Sequence, residues 1–490
     1  MKPSNSHRSN SAAGTAPGEV CVDAHRPALG LWDTVSIIVG IVVGVTIFRS
    51  PPLIFANVGG PWAGIATWLL GGLLSVVGAC CYAELATTYP QSGGDYVYLT
   101  RAFGRFWGFL FGWAQLAAIL TGSIGALAYV FADYAVAFFE LQVSGTVWFA
   151  VAAVVCLTVT NCLGLVLGKL TQNILTVAKL LGLAAIVVVG FSWGAAEDAF
   201  VVQRPLDGPG FGLAMVLVLY AYGGWNDAAF VAAEVHQPRR NIPRALLLGI
   251  GIITSCYVVV NLAYLWALGF EGLRDASAPA ADVLRLALGA WGAKAMSLLV
   301  MVSALGAVNG MILTGSRVLA RLGGDHRLFG LFGRWNARRG APIWALVAQA
   351  FVALLLIGVV GTQVGRNTVD AALDWAGRSG LPWHKYDGGF GTLVAATAPV
   401  FWFFFLMTGL SVFVLRKRDR RIDRPFAVPF YPIVPILFCG MCAYMLYASI
   451  MYAWQLALLG VLPVALGVPL FLLSRWGGSR TKGKTPSSNL

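Results

Sequence analysis

Glycines interrupt two apolar segments of this 490-residue chain, each at a place where a continuous helix would otherwise be expected. Gly40 and Gly44 stand four residues apart in the first segment, and Gly223 and Gly224 are adjacent in the second. Because glycine weakens a helix, each segment is predicted to break there. A helix that begins inside a membrane offers free N–H groups to a carboxylate, and one that ends there offers carbonyls to an ammonium. An α-amino acid carries both of these charges.

The two interrupted segments lie five apolar segments apart, in corresponding positions of two halves of the chain. Such a pair is typical of transporters built from an inverted repeat, in which the substrate binds where both helices unwind. Segments 1 to 5 would then mirror segments 6 to 10. The alternative interpretation of the first interruption is helix packing, since Gly40 and Gly44 also match a Gly-x-x-x-Gly pattern.

One lysine, Lys179, lies near the middle of the fifth apolar segment. A charge within hydrocarbon is costly, so Lys179 is predicted to point into the protein and to take part in function. Two roles remain open. Lys179 either exchanges protons as the site opens and closes, which would couple protons to the substrate, or stays charged and ties segments 5, 1 and 8 together.

Two glutamates, Glu84 and Glu234, stand near the ends of segments 2 and 6, within reach of basic loops that hold Arg239, Arg317 and Arg321. We predict that they latch a gate on the cytoplasmic side. The alternative is that both are solvated charges at helix ends. Asp33 is interpreted as an N-terminal helix charge, and two further carboxylates, Asp133 and Asp227, receive no role.

The composition of the chain places most of it in lipid. The mean hydropathy is +0.75, 58% of the residues are hydrophobic and only 11% are charged, far from the usage of soluble globular proteins. The apolar runs are too long for barrel strands, so the spans must be helices. The net charge of +13 does not indicate nucleic acid, because the basic residues fall in short loops between apolar runs.

Twelve apolar runs are long enough to cross a bilayer, and both termini are predicted to be cytoplasmic because Lys and Arg concentrate on that side. The chain is therefore expected to be a multi-pass protein of the cell (inner or plasma) membrane. The predicted spans are 31–56, 62–88, 106–138, 145–165, 170–192, 211–235, 243–269, 291–316, 341–361, 391–415, 430–454 and 457–475.

The predicted organisation follows from these spans. A disordered cytoplasmic tail, 1–30, precedes a first repeat, 31–192, and a second repeat, 211–416. Two additional helices, 430–475, precede a cytoplasmic tail, 476–490. The long outer loop from Thr362 to Phe390 is assigned no chemistry. The cysteines do not show a disulfide or metal-ligand spacing, so no cofactor and no metal site is predicted.

Several motifs give the chain a family resemblance. They are Gly40–Phe48, Tyr82–Tyr96, Tyr220–Arg244, Ser303–Arg317 and Arg424–Pro432. On these residues the chain resembles the amino acid-polyamine-organocation transporters, and within them the prokaryotic permeases and L-type amino acid transporters, over nearly all of residues 30–475. The resemblance implies an all-α membrane protein of twelve helices with the LeuT-type 5+5 inverted repeat, broken helices 1 and 6, and two extra C-terminal helices.

The resemblance also implies the substrate-binding residues. Backbone groups around Gly44 and Gly223 would hold the substrate, Tyr220 would be a gating aromatic, and Trp225 would form a wall of the pocket. Relatives commonly read Gly-Ser-Gly-Ile-Phe where this chain has Val45 and Thr46 after Gly44, so the carboxylate cradle is expected to differ in shape. The candidate binding residues are Ile41, Val42, Gly44, Val45, Thr46, Tyr220, Tyr222, Gly223, Gly224, Trp225 and Asn226.

By the same resemblance, the Lys179 ammonium takes the place of the sodium ion of sodium-driven relatives, which implies sodium independence. Ile47 stands where sodium-driven relatives carry a liganding asparagine. The loop from Glu140 to Gly145 contains no cysteine, so no disulfide-linked heavy chain is expected. The expected partners are the amino acid, the lipid bilayer and, if coupling runs through Lys179, protons.

Neutral amino acids are the favoured substrates, carried by proton symport or by exchange. The reason is that the pocket residues considered bring no anion to a cationic side chain: Val42, Val45, Ile119, Tyr220, Tyr222 and Trp225. The alternatives are a cationic amino acid or polyamine antiporter and a sodium-coupled symporter on the same fold. An enzyme is disfavoured because no catalytic arrangement is evident, and a channel because two broken helices favour alternating access.

Overall fold

The computed structural model describes residues 28–479 except 142–144, 195, 197–198, 203–209, 376, 378–379, 382 and 384–387. Apart from two isolated bridges, the regular structure of these residues is helical. The helices of the first half are α1 (Leu31–Val42), α2 (Thr46–Arg49), α3 (Pro51–Phe55), α4 (Pro61–Thr88), α5 (Asp95–Phe103), α6 (Arg105–Ala114), a π-helical turn (Gln115–Ile119), α7 (Leu120–Phe139), α8 (Thr146–Leu163) and α9 (Leu165–Trp193).

The second half begins after the gap at 203–209 and opens on another short helix that ends in a break. Its helices are α10 (Phe211–Ala221), a 3-10 helix (Trp225–Glu234), α11 (Pro238–Leu268), α12 (Phe270–Asp275), α13 (Pro279–Leu288), α14 (Trp291–Asp325), a 3-10 turn (Arg327–Phe329), α15 (Ile343–Gly361), α16 (Gln363–Trp375), α17 (Gly388–Arg418), α18 (Ile433–Tyr452), α19 (Trp454–Ala465) and α20 (Gly467–Ser479).

Ten helices in the described residues are long and apolar enough to cross a membrane. They correspond to ten of the twelve predicted spans, with ends that differ by up to nine residues: the fifth, for example, covers Leu165–Trp193 rather than 170–192, and the eighth continues to Asp325 rather than 316. The two remaining predicted spans, 31–56 and 211–235, are each divided into shorter helices. The chain is therefore a multi-pass membrane protein.

The first helix, α1, is enclosed by the rest of the bundle. Every residue from Ile37 to Val42 is buried, and α1 packs against α9, α11 and α14. The chain just before it also joins the core, because the backbone N–H groups of Ala28 and Leu29 donate to the carbonyl of Glu234 at 2.9 Å. This contact places the start of the first half beside the end of the 3-10 helix. We call this side the N-terminal end of the bundle.

Some predictions fall partly outside the described residues. The described residues do not include 1–27 of the N-terminal tail, 480–490 of the C-terminal tail or 142–144 of the loop after α7.

The long loop predicted from Thr362 to Phe390 contains helix α16, which was not expected from the sequence. Its first turn is capped by the Thr362 hydroxyl, which accepts a hydrogen bond from the Gly365 N–H at 3.0 Å.

Candidate substrate site

Both predicted helix breaks are present. Helix α1 ends at Val42, Val43 leaves the helical conformation with ψ 82°, and helical structure resumes at Thr46. Helix α10 ends at Ala221, and Gly224 takes the left-handed conformation with φ 108° before the 3-10 helix begins. A non-glycine residue rarely adopts that φ value. The second break therefore depends on glycine at position 224.

The two glycines of the first interrupted segment, Gly40 and Gly44, have different structural roles. A Cβ atom added at Gly40 would lie 2.0 Å from Gln172 Nε2 and 2.6 Å from Thr176 Oγ1 on α9, so Gly40 serves close helix packing. At Gly44 the nearest atom would be the Val42 carbonyl oxygen at 3.6 Å, which leaves room for a side chain. The packing interpretation thus holds for Gly40, whereas Gly44 lies in the break itself.

Side chains from three neighbouring helices bind the carbonyls at the end of α1. Lys179 Nζ donates to the Gly40 carbonyl at 2.7 Å, and the Ser303 hydroxyl donates to the Val43 carbonyl at 3.1 Å. The Tyr257 hydroxyl lies 3.0 Å from the carbonyl oxygens of both Val42 and Ala221, so it serves either break. Carbonyls freed by a break in hydrocarbon need such partners. The roles of Tyr257 and Ser303 were not predicted from the sequence.

A cavity of about 150 Å³ lies where the two breaks face each other. The π-helical turn, α7, α14 and α17 complete its wall. The lining residues that the sequence analysis proposed are Ile41, Val42, Gly44, Val45, Thr46, Tyr220, Gly223, Gly224 and Asn226. The lining residues from the other elements include Gln115, Ile119, Ser123, Met311, Thr397, Phe401 and Trp402.

Two proposed residues, Tyr222 and Trp225, are not part of this lining. Tyr222 lies behind it, where its hydroxyl donates to the Trp68 carbonyl at 3.1 Å and its ring contacts Tyr257. Trp225 is turned the other way and packs edge-on against Tyr82, with ring centroids 5.2 Å apart. Both side chains support the break from outside the cavity in this conformation.

The lining also includes Asp227, which the sequence analysis left without a role. Its carboxylate shares the cavity wall with two amide side chains, Asn226 and Gln115. Gln115 opens the π-helical turn, a distortion often found at functional sites. A sequence signal existed for Asp227 and Gln115, since each is polar within a long apolar segment. The six residues on which the expectation of neutral substrates was based did not include Asp227, the acidic residue of the lining.

Lys179 is completely buried and is not among the cavity-lining residues. Its ammonium touches the first break through the Gly40 carbonyl, and a Cβ atom added at Gly306 on α14 would lie 3.5 Å from Nζ. Lys179 thus contacts α1 from α9 and lies close to α14. Among the described residues, no group of three or more His, Cys, Asp or Glu side chains could hold a metal ion.

The proposed gate glutamates are buried and paired. Glu234 accepts two hydrogen bonds from the guanidinium of Arg317, at 2.7 and 2.9 Å, and the side chains are only 3% and 2% exposed. Glu84 accepts from Arg416 and from the Val428 N–H at 2.7 Å, with Arg424 at 3.4 Å. The partners of Glu84 come from α17 and the segment after it, not from the predicted basic loops. Neither glutamate is a solvated helix-end charge.

A further ion pair lies beyond the candidate spans, next to Glu84 in the fold. Asp419 accepts hydrogen bonds from Arg101 Nε at 2.6 Å and from the Tyr89 hydroxyl at 2.8 Å. Partial burial acts to raise the pKa of Asp419, but the bonds from Arg101 and Tyr89 hold it below its usual value. The helix α5 is thereby tied to the end of α17.

Comparison with known proteins agrees with this architecture. The chain is 27% identical to the serine/threonine exchanger SteT of Bacillus subtilis over 91% of its length and 96% of that protein. It is 30% identical to the large neutral amino acids transporter small subunit 2 of Mus musculus (92% and 81% covered) and 29% identical to the mouse b(0,+)-type amino acid transporter 1 (84% and 80%). Residues 29–471 match the family model described as amino acid permease, and the chain therefore belongs to this family of membrane transport proteins.

Proposed function

We propose that this amino acid permease carries its substrate through the cavity between the two breaks by alternating access. The observation that carries the proposal is that α1–α2 and α10 with its 3-10 helix, interrupted in corresponding halves, both line one cavity. The proposed arrangement is the LeuT-type fold with twelve crossings. Its repeats cover 31–192 and 211–416, followed by two further helices within 430–475.

In the proposed binding mode the substrate backbone groups lie on the breaks. The α-carboxylate faces the N–H groups of Gly44, Val45 and Thr46, where α2 begins, and the α-ammonium faces the carbonyl ends of α1 and α10. Tyr220 covers the substrate as a gating aromatic ring. The β-branched side chains of Val45 and Thr46 narrow the carboxylate cradle without removing its backbone donors.

We further propose sodium-independent transport, with the Lys179 ammonium in the position of a coupling ion. Its 2.7 Å bond to the Gly40 carbonyl supports this role, since it joins α9 to the end of α1 that borders the first break. Transport then proceeds by proton symport or by exchange. The protein works in the plasma membrane as a self-sufficient subunit with cytoplasmic termini and no disulfide-linked heavy chain.

The test is uptake of labelled amino acids into proteoliposomes that contain the purified protein, with sodium absent. Saturable uptake that internal substrate accelerates would support exchange, and uptake that an inward proton gradient drives would support symport. Flux that never saturates would indicate a pore and contradict alternating access. An increase on adding sodium would contradict the proposed role of the Lys179 ammonium.

The buried pair of Glu234 and Arg317 is proposed to close the N-terminal end of the bundle. Glu234→Gln leaves the Arg317 guanidinium buried without its counter-ion, a change that costs about 3–5 kcal/mol in comparable pairs. We expect uptake to fall at least tenfold and the melting temperature in detergent to drop.

The control is Glu140→Gln, which removes the same charge from an exposed pair with Lys294 and is expected to change uptake less than twofold. The double variant Glu234→Gln/Arg317→Gln leaves no lone charge, so it is expected to recover most of the lost melting temperature. Unchanged uptake in Glu234→Gln would argue against this pair as the closing element, and equal losses of melting temperature in the single and double variants would argue against the unpaired charge as the cause.

A further inference from the structure

One wall of the cavity carries acceptors without matching donors. We propose that this wall, formed by Asp227, Asn226 and Gln115, binds the positively charged side-chain group of a basic amino acid, an ammonium or a guanidinium. The inference rests on the proposed function, whose substrate cavity it describes in more detail. It replaces the neutral substrates expected from the sequence by cationic ones.

The acidic side chain of the wall is Asp227, the third residue of the 3-10 helix. Asp227 is the only carboxylate among the described lining residues, and that lining holds no Lys, Arg or His. Its Oδ1 accepts one long hydrogen bond, from Asn226 Nδ2 at 3.3 Å. No basic side chain of the described chain pairs with it, and an ionised carboxylate is costly when it is buried without a partner, so a cationic group in the cavity would stabilise its charged form.

The two amides at this wall carry unused acceptors. The side-chain oxygens of Gln115 and Asn226 are buried and have no hydrogen-bond partner, although the two residues are only 4% and 3% exposed. Buried polar atoms of this kind are normally satisfied, so a donor group in the cavity would complete them. Since both oxygens accept, the group that satisfies them must donate. An ammonium offers three donors and a guanidinium five.

A second carboxylate, Asp95, lies behind the wall. A cavity of about 10 Å³ is lined by Asp95, Gln115 and Asn226, which places Asp95 next to the same two amides. The hydroxyls of Tyr82 and Thr408 each donate to Asp95 at 2.6 Å, so Asp95 has its own donors. Asp95 therefore adds to the negative potential of the wall and leaves the position beside Asp227 for the substrate.

The rest of the cavity suits the stem of such a side chain. Ile119 from the π-helical turn and two aromatic residues of α17, Phe401 and Trp402, lie in the lining. Long basic side chains bury their methylene stems against apolar surface while the charged head finds polar partners. Aromatic faces also attract cations. An inorganic cation would bring the same charge without using this apolar surface.

The test compares substrates of matched shape in proteoliposomes that contain the full-length protein. Arginine and citrulline have nearly the same size, but only arginine carries the charge. We expect arginine to compete with labelled substrate at least tenfold more strongly than citrulline. In Asp227→Asn the preference is expected to disappear, so that arginine and citrulline compete within twofold of each other. The control Asp282→Asn removes a carboxylate from an exposed pair with Arg285 and should keep the preference.

Each outcome separates this inference from the proposed function. Equal competition by arginine and citrulline in the wild type, with saturable uptake, would overturn the cationic site and leave amino acid transport intact. A preference that survives in Asp227→Asn would also overturn it, as would sodium-stimulated uptake that Asp227→Asn abolishes, which would assign the wall to an inorganic cation. Absence of saturable uptake for every amino acid would instead overturn the proposed function. If Asp227→Asn fails to fold, the comparison of arginine with citrulline in the wild-type protein still tests the cationic site.

Discussion

Replacing Lys179 by methionine is expected to reduce amino acid uptake at least tenfold. Methionine keeps most of the length of the side chain but removes the ammonium, so the Gly40 carbonyl loses its 2.7 Å hydrogen bond in a fully buried position. An unsatisfied buried carbonyl costs about 1–3 kcal/mol, and here it lies two residues before the end of α1. The position of the first break, and with it one wall of the cavity, then loses a support.

The matched control lies on the same helix. Lys169 is also on α9 and also contacts α1, through Asp33 in its first turn at 3.2 Å, but its side chain is partly exposed. Lys169→Met is expected to change uptake less than threefold, because partly exposed pairs contribute about 0.2–1 kcal/mol. Equal losses in the two variants would contradict a special role for Lys179.

The variant Lys179→Met also separates the two roles left open for Lys179. If Lys179 carries the coupling proton, Lys179→Met loses uptake driven by a proton gradient but retains exchange of internal for external substrate. If Lys179 only positions α1, both activities fall together. Both should be measured in the same proteoliposomes, with the amount of inserted protein determined for each variant. Normal gradient-driven uptake in Lys179→Met would remove Lys179 from the transport cycle.

The helix breaks and most spans could be predicted because their signals are local. A run of apolar residues indicates a span whatever lies beside it, and paired glycines weaken a helix wherever they occur. Lys179 was also recognisable, since a lysine is costly in hydrocarbon irrespective of its partner. These features depend on how a segment interacts with lipid and on how readily its backbone forms a helix. Both follow from the sequence of that segment alone.

The partners of these features could not be predicted, because they depend on which helices meet. Glu84 pairs with Arg416, which is 332 positions away along the chain, although nearer basic residues were available. Tyr257 joins the two breaks from α11, and nothing in its apolar surroundings marks it. In lipid the outward faces of helices are as apolar as their inward faces, so hydrophobic periodicity does not identify the inner side.

Asp227 illustrates the same limit at the site itself. Its neighbour Trp225 was expected to form a wall of the pocket, but the segment continues as a 3-10 helix with three residues per turn. In this geometry Asn226 and Asp227 reach the cavity, whereas Trp225 faces Tyr82. An interpretation based on the family motif assigns the aromatic residue and overlooks the acidic side chain on which the proposed cation site depends.

The second large effect is expected at Gly224. A Cβ atom there would lie 2.7 Å from Ile41 Cγ2, and the backbone has φ 108°, where side chains are strained whatever the space. Gly224→Ala should therefore move Ile41, which lines the cavity, and alter the turn between α10 and the 3-10 helix. We expect uptake to fall at least tenfold, with a lower melting temperature in detergent.

The adjacent residue provides the control, because Gly223→Ala adds the same methyl group beside the same cavity. There the closest atom would be the Tyr220 carbonyl oxygen at 3.2 Å, a tight contact, but φ lies outside the left-handed region, so a smaller loss than in Gly224→Ala is expected. The double variant Gly224→Ala/Ile41→Ala removes the clash but keeps the strained φ, and its uptake divides the loss between the two causes. Unchanged uptake in Gly224→Ala would mean that the close contact between the two breaks is not needed for transport.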